Sequence, residues 1–158
     1  MLKQREMRRN DRVVSEEEAK NILTKAAYGV LATIGEDQYP YGIPLSYAYA
    51  DGKIYFHCAK DMGHKLENIK YSDKVCFTVV GETKVLPEKF STIFESTVVF
   101  GKVCEVEGEE KIKALMYIVE KYSSDYITEG RKYVEQSGHQ ASVYKIITEK
   151  ISGKSRKM

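Results

Sequence analysis

Apolar positions in this chain follow two rhythms. In some stretches they recur every three or four residues, and in others β-branched and aromatic residues run together between turn formers. Ser15-Glu16-Glu17-Glu18 has the form of a capping box, with Ala19, Ile22, Leu23 and Ala26 following at helical spacing, which predicts a helix from about Glu16 to Ala27. Gly29 to Ile34 reads as a buried strand closed by Gly35-Glu36-Asp37. Tyr39 to Ala50 reads as one strand weakened by Pro40, Gly42 and Pro44, hence an edge, a bulge or a bend. Asp51-Gly52 predicts a two-residue hairpin into Lys53-Ile54-Tyr55-Phe56-His57. A short polar loop then leads to a helix from Gly63 to Lys70, and Val75 to Gly81 is a further apolar strand.

Beyond a polar link through Pro87, Phe90 to Glu107 reads as one long or bent strand broken near Gly101. Glu109 to Tyr122 carries Ile112, Leu115, Met116, Val119 and Tyr122 on one helical stripe. A short helix around Gly130 to Gln136 and a last strand from Ser142 to Ile151 complete the pattern, followed by a basic tail. About six strands with hairpin links argue for an antiparallel barrel or sandwich and against a parallel doubly wound sheet.

With 158 residues, 42% hydrophobic and 30% charged, the chain suits one folded domain spanning 1–158 rather than a disordered segment. A net charge of +2 gives no reason to invoke nucleic acid. The basic residues gather at the ends, in an N-terminal arm of about 1–14 and a tail of about 152–158, and both read most simply as solvated. The first dozen residues are nearly all polar and no apolar run reaches the ~20 residues that cross a bilayer, so a cytoplasmic protein without a membrane partner is expected. Cys58, Cys76 and Cys104 form no Cys-x-x-Cys pair; Cys76 and Cys104 sit among apolar neighbours and read as small core residues.

Candidate chemistry centres on Ile54 to Ile69. A strand ends near His57, and a helix then begins with Gly63, His64 and Lys65. Unpaired amides, the helix dipole and the Lys65 ammonium make that turn suitable for a phosphate. His57 is a candidate for proton transfer. A metal site from His57, Cys58 and His64 is disfavoured, because adjacent strand residues point to opposite faces. Tyr39, Tyr41, Tyr47 and Tyr49 suit either stacking on a flat ligand or cross-strand packing.

Four blocks, Tyr28 to Thr33, Pro40 to Tyr47, Ile54 to Ala59 and Gly63 to Ile69, resemble the FMN-binding split-barrel proteins related to pyridoxamine 5′-phosphate oxidase, especially the Nim, or 5-nitroimidazole-resistance, branch. Phe94 to Gly101 and Ile151 to Lys154 extend the likeness. The resemblance implies a six-stranded antiparallel split β-barrel, mainly β with flanking helices and Greek-key-like, assembled as a homodimer with FMN at the interface. It implies that Lys65 and His64 hold the FMN phosphate, and that Pro44, Leu45, Ser46, Tyr47, Phe56, His57, Cys58 and Ala59 lie along the flavin. Glu95, Ser96 and Val98 would come from the partner subunit. His57 matches the active-site histidine proposed in the Nim branch, and the implied role is a small FMN-dependent oxidoreductase using a small-molecule acceptor and NAD(P)H. The chain contains no tryptophan and so lacks the parent oxidase's Trp- and Arg-containing C-terminal signature, which argues against pyridoxamine phosphate as substrate. A haem-binding or haem-degrading split barrel and a non-catalytic flavin sensor are the alternatives.

Overall fold

The computed structural model describes residues 1–60 and 63–157. Asp61 and Met62, in the polar loop expected before the second helix, and Met158 of the tail lie outside the described residues. The first helix is α1 (Glu16–Lys25), and its N-terminus is capped as expected: Glu18 N–H donates to Ser15 Oγ at 3.1 Å. The strands are β1 (Gly29–Ile34), β2 (Pro40–Leu45), β3 (Ala48–Ala50), β4 (Lys53–Ala59), β5 (Lys74–Leu86), β6 (Ser91–Val106) and β7 (Ala141–Arg156). The remaining helices are α2 (His64–Tyr71), α3 (Gly108–Tyr122) and α4 (Ile127–Ser137).

All seven strands form one antiparallel sheet in the order β2-β1-β5-β6-β7-β4-β3. The expected six strands become seven because Tyr39 to Ala50 divides at Ser46 and Tyr47. The Tyr47 N–H leaves the ladder to donate to Tyr122 Oη at 3.1 Å, and the Tyr47 side chain turns into the core, where its hydroxyl donates to Leu23 O. The two edges of the sheet, β2 and β3, are therefore neighbours in sequence but share no ladder. Among the described residues no ladder joins those two edges, so the sheet is not closed into a continuous hydrogen-bonded barrel.

Two strands outrun their sequence limits. β5 continues past Gly81 to Leu86 through a bulge between Val80 and Thr83, which Glu95 stabilises by accepting the Glu82 N–H at 3.2 Å. β7 continues to Arg156, so most of the supposed tail is strand paired to β6. The N-terminal arm is partly docked as well, since Val13 bridges Lys154 and Val14 N–H donates to Gly153 O. α4 begins earlier than the pattern around Gly130 suggested. Near Gly101, the expected break in β6 is a register shift, where a Cβ would stand 2.3 Å from Ile147 O.

The barrel interior holds Leu31, Ile54, Phe56, Phe77, Val99 and Ile146 beneath α1, while Tyr55, Val106 and Val143 pack under α3 and α4. Cys76 and Cys104 depart from expectation: Cys76 is half-buried and Cys104 exposed, because alternation along β5 and β6 turns both sulfurs outward.

Candidate functional site

Alternation along β4 decides which face each candidate serves. Ile54, Phe56 and Cys58 point into the barrel, whereas His57 and Ala59 point outward. Phe56 stacks on Tyr144 at 5.7 Å and is fully buried, and Cys58 lies within 3.8 Å of Ser142 O. β4 runs unbroken past His57 to Ala59, so His57 and Cys58 face away from each other, and among the described residues no His/Cys/Asp/Glu cluster could hold a metal. The His57 ring reaches solvent, yet surrounding protein displaces enough water to lower its pKa below 6.5, and the Lys65 ammonium lowers it further. At pH 7 the imidazole is neutral.

α2 is held in place from below. Leu66 enters the core, and the buried Asn68 donates from Nδ2 to Thr33 Oγ1 at 3.0 Å. Gly35 is required beside it, because a Cβ there would stand 2.2 Å from Asn68 Oδ1. The helix starts at Gly63 with φ +111°, a conformation open to glycine, and no side chain among the described residues caps it. Its first amides, on His64 and Lys65, precede the intrahelical ladder and are oriented for an external acceptor. His64 stacks on Tyr41 of β2 at 3.9 Å, bringing β2 and the α2 N-terminus together.

The outward faces of four neighbouring strands carry one in-register row: Pro44 opposite Val30, Val30 opposite Thr78, Thr78 opposite Val98, with Ser152 of β7 next in line. Ser96 lies in the adjoining row between Val80 and Lys154. Val30 and Val80 are exposed, and Val98 and Phe100 line a groove of about 970 Å³ beneath Met1, Leu2 and Met7 of the arm. Pro44, Ser96 and Val98 therefore share an outer sheet face, although they come from distant parts of the sequence, and the groove over Val98 is also lined by Lys74, Lys102, Lys150 and Lys154. Ser46 is exposed in the link, Leu45 packs inward and Tyr47 is fully buried beneath Lys121. Glu95 is engaged at the β5 bulge. Within one chain, Glu95, Ser96 and Val98 are not brought beside His57 and Lys65.

The family model for pyridoxamine 5′-phosphate oxidase matches residues 15–155. The chain belongs to that family. This is a flavin-binding family of split-barrel fold. Among solved structures, a Bacteroides thetaiotaomicron protein provisionally named as a 5-nitroimidazole antibiotic resistance protein is 25% identical, with a TM-score of 0.76 over 90% of this chain and 85% of its own. A conserved hypothetical protein of Mycobacterium tuberculosis is 22% identical, with a TM-score of 0.79 over 95% of this chain and 90% of its own. An FAD and haem binding protein of Mycobacterium smegmatis is 15% identical, with a TM-score of 0.77 over 91% of this chain and 72% of its own; at that identity it speaks for the fold alone. No curated protein matches the chain in sequence.

The residues of this family member fit a flavin phosphate at α2, where Lys65 offers a cation and a helix start with no side-chain cap among the described residues offers donors. On the outer face of β2 and β1, the exposed Pro44 and Val30 offer apolar contact to a flat ring. Sequence reasoning missed a second wall beside His57. His57, Ala59 and Ala141 open into a cleft of about 780 Å³ whose far side is α3 and α4, with Tyr122, Tyr126 and Tyr133 around it. The spacing of those tyrosines, four and seven residues apart, was the available signal. It was obscured because Ser123 to Gln140 carried no clear element pattern.

Proposed function

We propose that this chain is an FMN-dependent oxidoreductase that works as a cytoplasmic homodimer and reduces a small organic acceptor in the manner of the Nim branch. Membership of a flavin-binding family supports the cofactor class. The likeness at 25% identity to the provisionally named resistance protein supports the direction of the chemistry. The observation that supports an interface site is the outer row through Pro44, Val30, Thr78 and Val98, whose β2-β1 end presents exposed Pro44 and Val30 that a second copy would cover, with expected flavin contacts at Pro44 and Val98.

In this reading Lys65 and the first amides of α2 bind the phosphate, and the outer row receives the ring. Bound FMN supplies the electrons. His57, neutral at pH 7 and outward-facing at the end of β4, orients the acceptor through a ring nitrogen and can carry a proton there. Leu45, Tyr47, Phe56 and Cys58 act from behind by fixing the strands, since their side chains point inward.

Anaerobic titration of the purified protein with NADH and with NADPH tests the proposal. Bleaching of a bound flavin by either, and its return on adding an acceptor, is the expected result. Bound flavin that neither nucleotide nor any acceptor changes would instead make the chain a flavin sensor.

A further inference from the structure

The N-terminal arm crosses the outer face of β5, β6 and β7 without packing down on it. Val13 and Val14 anchor it to Lys154 and Gly153, and farther out Lys150 Nζ donates to Arg5 O at 3.3 Å. The groove of about 970 Å³ lies between arm and sheet, and a second hollow of about 520 Å³ flanks the arm at Met7 and Asn10.

The charge of the groove is one-sided. Lys3, Arg5, Lys74, Lys102, Lys150 and Lys154 line it, against Glu6 and Glu149 as the carboxylates among its described lining residues, in a chain whose net charge is only +2. Among the described residues none of those six cations takes part in an ion pair. Lys74 and Lys102 stand directly opposite each other on β5 and β6, an arrangement that costs stability unless something negative lies between them. The arm brings Lys3 and Arg5 toward this same positive face, so its closure adds repulsion. An anion held between arm and sheet removes both costs.

The rest of the groove is apolar. Beside the Lys74-Lys102 pair comes Phe100, exposed and opposite Lys150, and then Val98 opposite Ser152. At ~3.3 Å per residue, the floor from Lys102 to Val98 spans about 13 Å. Leu2 and Met7, both half-buried, line the arm side, and methionine adapts its shape to an irregular or flexible neighbour. A small inorganic anion would use the lysines alone, and an uncharged or cationic chain the floor alone.

We propose that this groove binds a long-chain alkyl anion, with its phosphate or carboxylate head between Lys74 and Lys102 and its chain along Phe100 and Val98 beneath the arm. The test is calorimetric titration of the full-length protein at pH 7.5 with dodecyl phosphate, dodecyltrimethylammonium and inorganic phosphate, the amphiphiles below their micelle-forming concentrations. Dodecyl phosphate is expected to bind saturably at about one per chain, and at least about tenfold more tightly than either of the others. Lys102→Glu should weaken it about tenfold without weakening dodecyltrimethylammonium, and Leu2→Ser with Met7→Ser should weaken it about three- to tenfold. All three positions lie outside the two core clusters, so none of these changes threatens the fold.

Equal binding of the two amphiphiles, dodecyl phosphate binding that ignores both sets of substitutions, or no saturable binding would overturn the proposal. So would cosedimentation with phosphatidylglycerol vesicles by protein that takes up no free dodecyl phosphate, which would assign the face to an anionic membrane. Val98 is the one lining residue of the groove among the expected flavin contacts, and no substitution touches it. FMN uptake measured on the same preparations therefore reports the proposed function separately.

Discussion

Replacing Lys121 by methionine measures what it costs to keep an ammonium group inside this fold. Lys121 Nζ lies 3.6 Å from the centroid of the Tyr47 ring and 5.2 Å from that of Tyr122, and has no hydrogen-bond partner among the described residues. Burial lowers its pKa from 10.5 to about 8. At ~1.36 kcal/mol per pH unit, that gap corresponds to about 3 kcal/mol of native-state stability lost while the group is charged. The two aromatic faces return part of this, by about 0.5–2 kcal/mol for a cation so placed. The net cost at pH 7 is therefore about 1–3 kcal/mol.

The sign follows from proton counting. Between pH 8 and 10.5 the unfolded chain holds more protons at this lysine than the folded one, so rising pH favours the folded state over that window. Methionine fills similar volume without the charge. In urea unfolding followed by far-ultraviolet circular dichroism, Lys121→Met should be more stable than the parent by about 1–3 kcal/mol at pH 7, and by less than about 1 kcal/mol at pH 10. A variant less stable than the parent at pH 7, with a gap that does not move with pH, would refute the reasoning and show the ring faces to outweigh desolvation.

The other predictions concern the site and the sheet. Lys65→Ala should weaken FMN binding by ~1.5–3 kcal/mol, as expected for loss of a charge-assisted phosphate contact; unchanged affinity in a flavin fluorescence titration removes Lys65 from the site. His57→Gln should retain FMN but lose the inflexion below pH 6.5 that the parent's acceptor-reduction rate is expected to display, because the imidazole charges only below that value; identical pH profiles would end its proposed role. Gly101→Ala should lower stability by about 1–3 kcal/mol in thermal unfolding, since its Cβ would press on the backbone carbonyl of Ile147; a Tm within a degree of the parent's would show that the bulge can give way.

Elements governed by local chemistry were legible before the structure. The Ser15 cap and the Asp51-Gly52 hairpin each depend on residues within a few positions of one another, and the irregularity at Gly101 was marked by the glycine itself, although the partner it accommodates, Ile147, is distant. Elements governed by distant partners were not. Tyr47 leaves the sheet because of Tyr122, 75 residues away, and nothing in Tyr39 to Ala50 announces where that strand divides. Basic residues after Ile151 looked like a solvated tail, but their backbone pairs with Phe94 to Val98, and alternation along a strand allows Lys154 and Arg156 to keep water contact while their backbone is bound.

The candidate site divides along the same line. The phosphate-type turn at Gly63 to Lys65 was visible because its chemistry is local. Which of Pro44 to Tyr47 and of Phe56 to Ala59 face outward required the pleat: Pro44, His57 and Ala59 do, while Leu45, Tyr47, Phe56 and Cys58 face the core. Pro44 and Val98 meet in one row only through the order of the strands between them, and the tyrosine-rimmed cleft exists only because Gly130 lets α4 close on α3.

The absorption spectrum of the protein as purified tests the central claim most directly. The paired near-ultraviolet and blue bands of bound flavin, released on denaturation as FMN in about one equivalent per chain, are the expected result. A single intense Soret band, or a colourless protein that remains so after incubation with FMN and gel filtration, would contradict it.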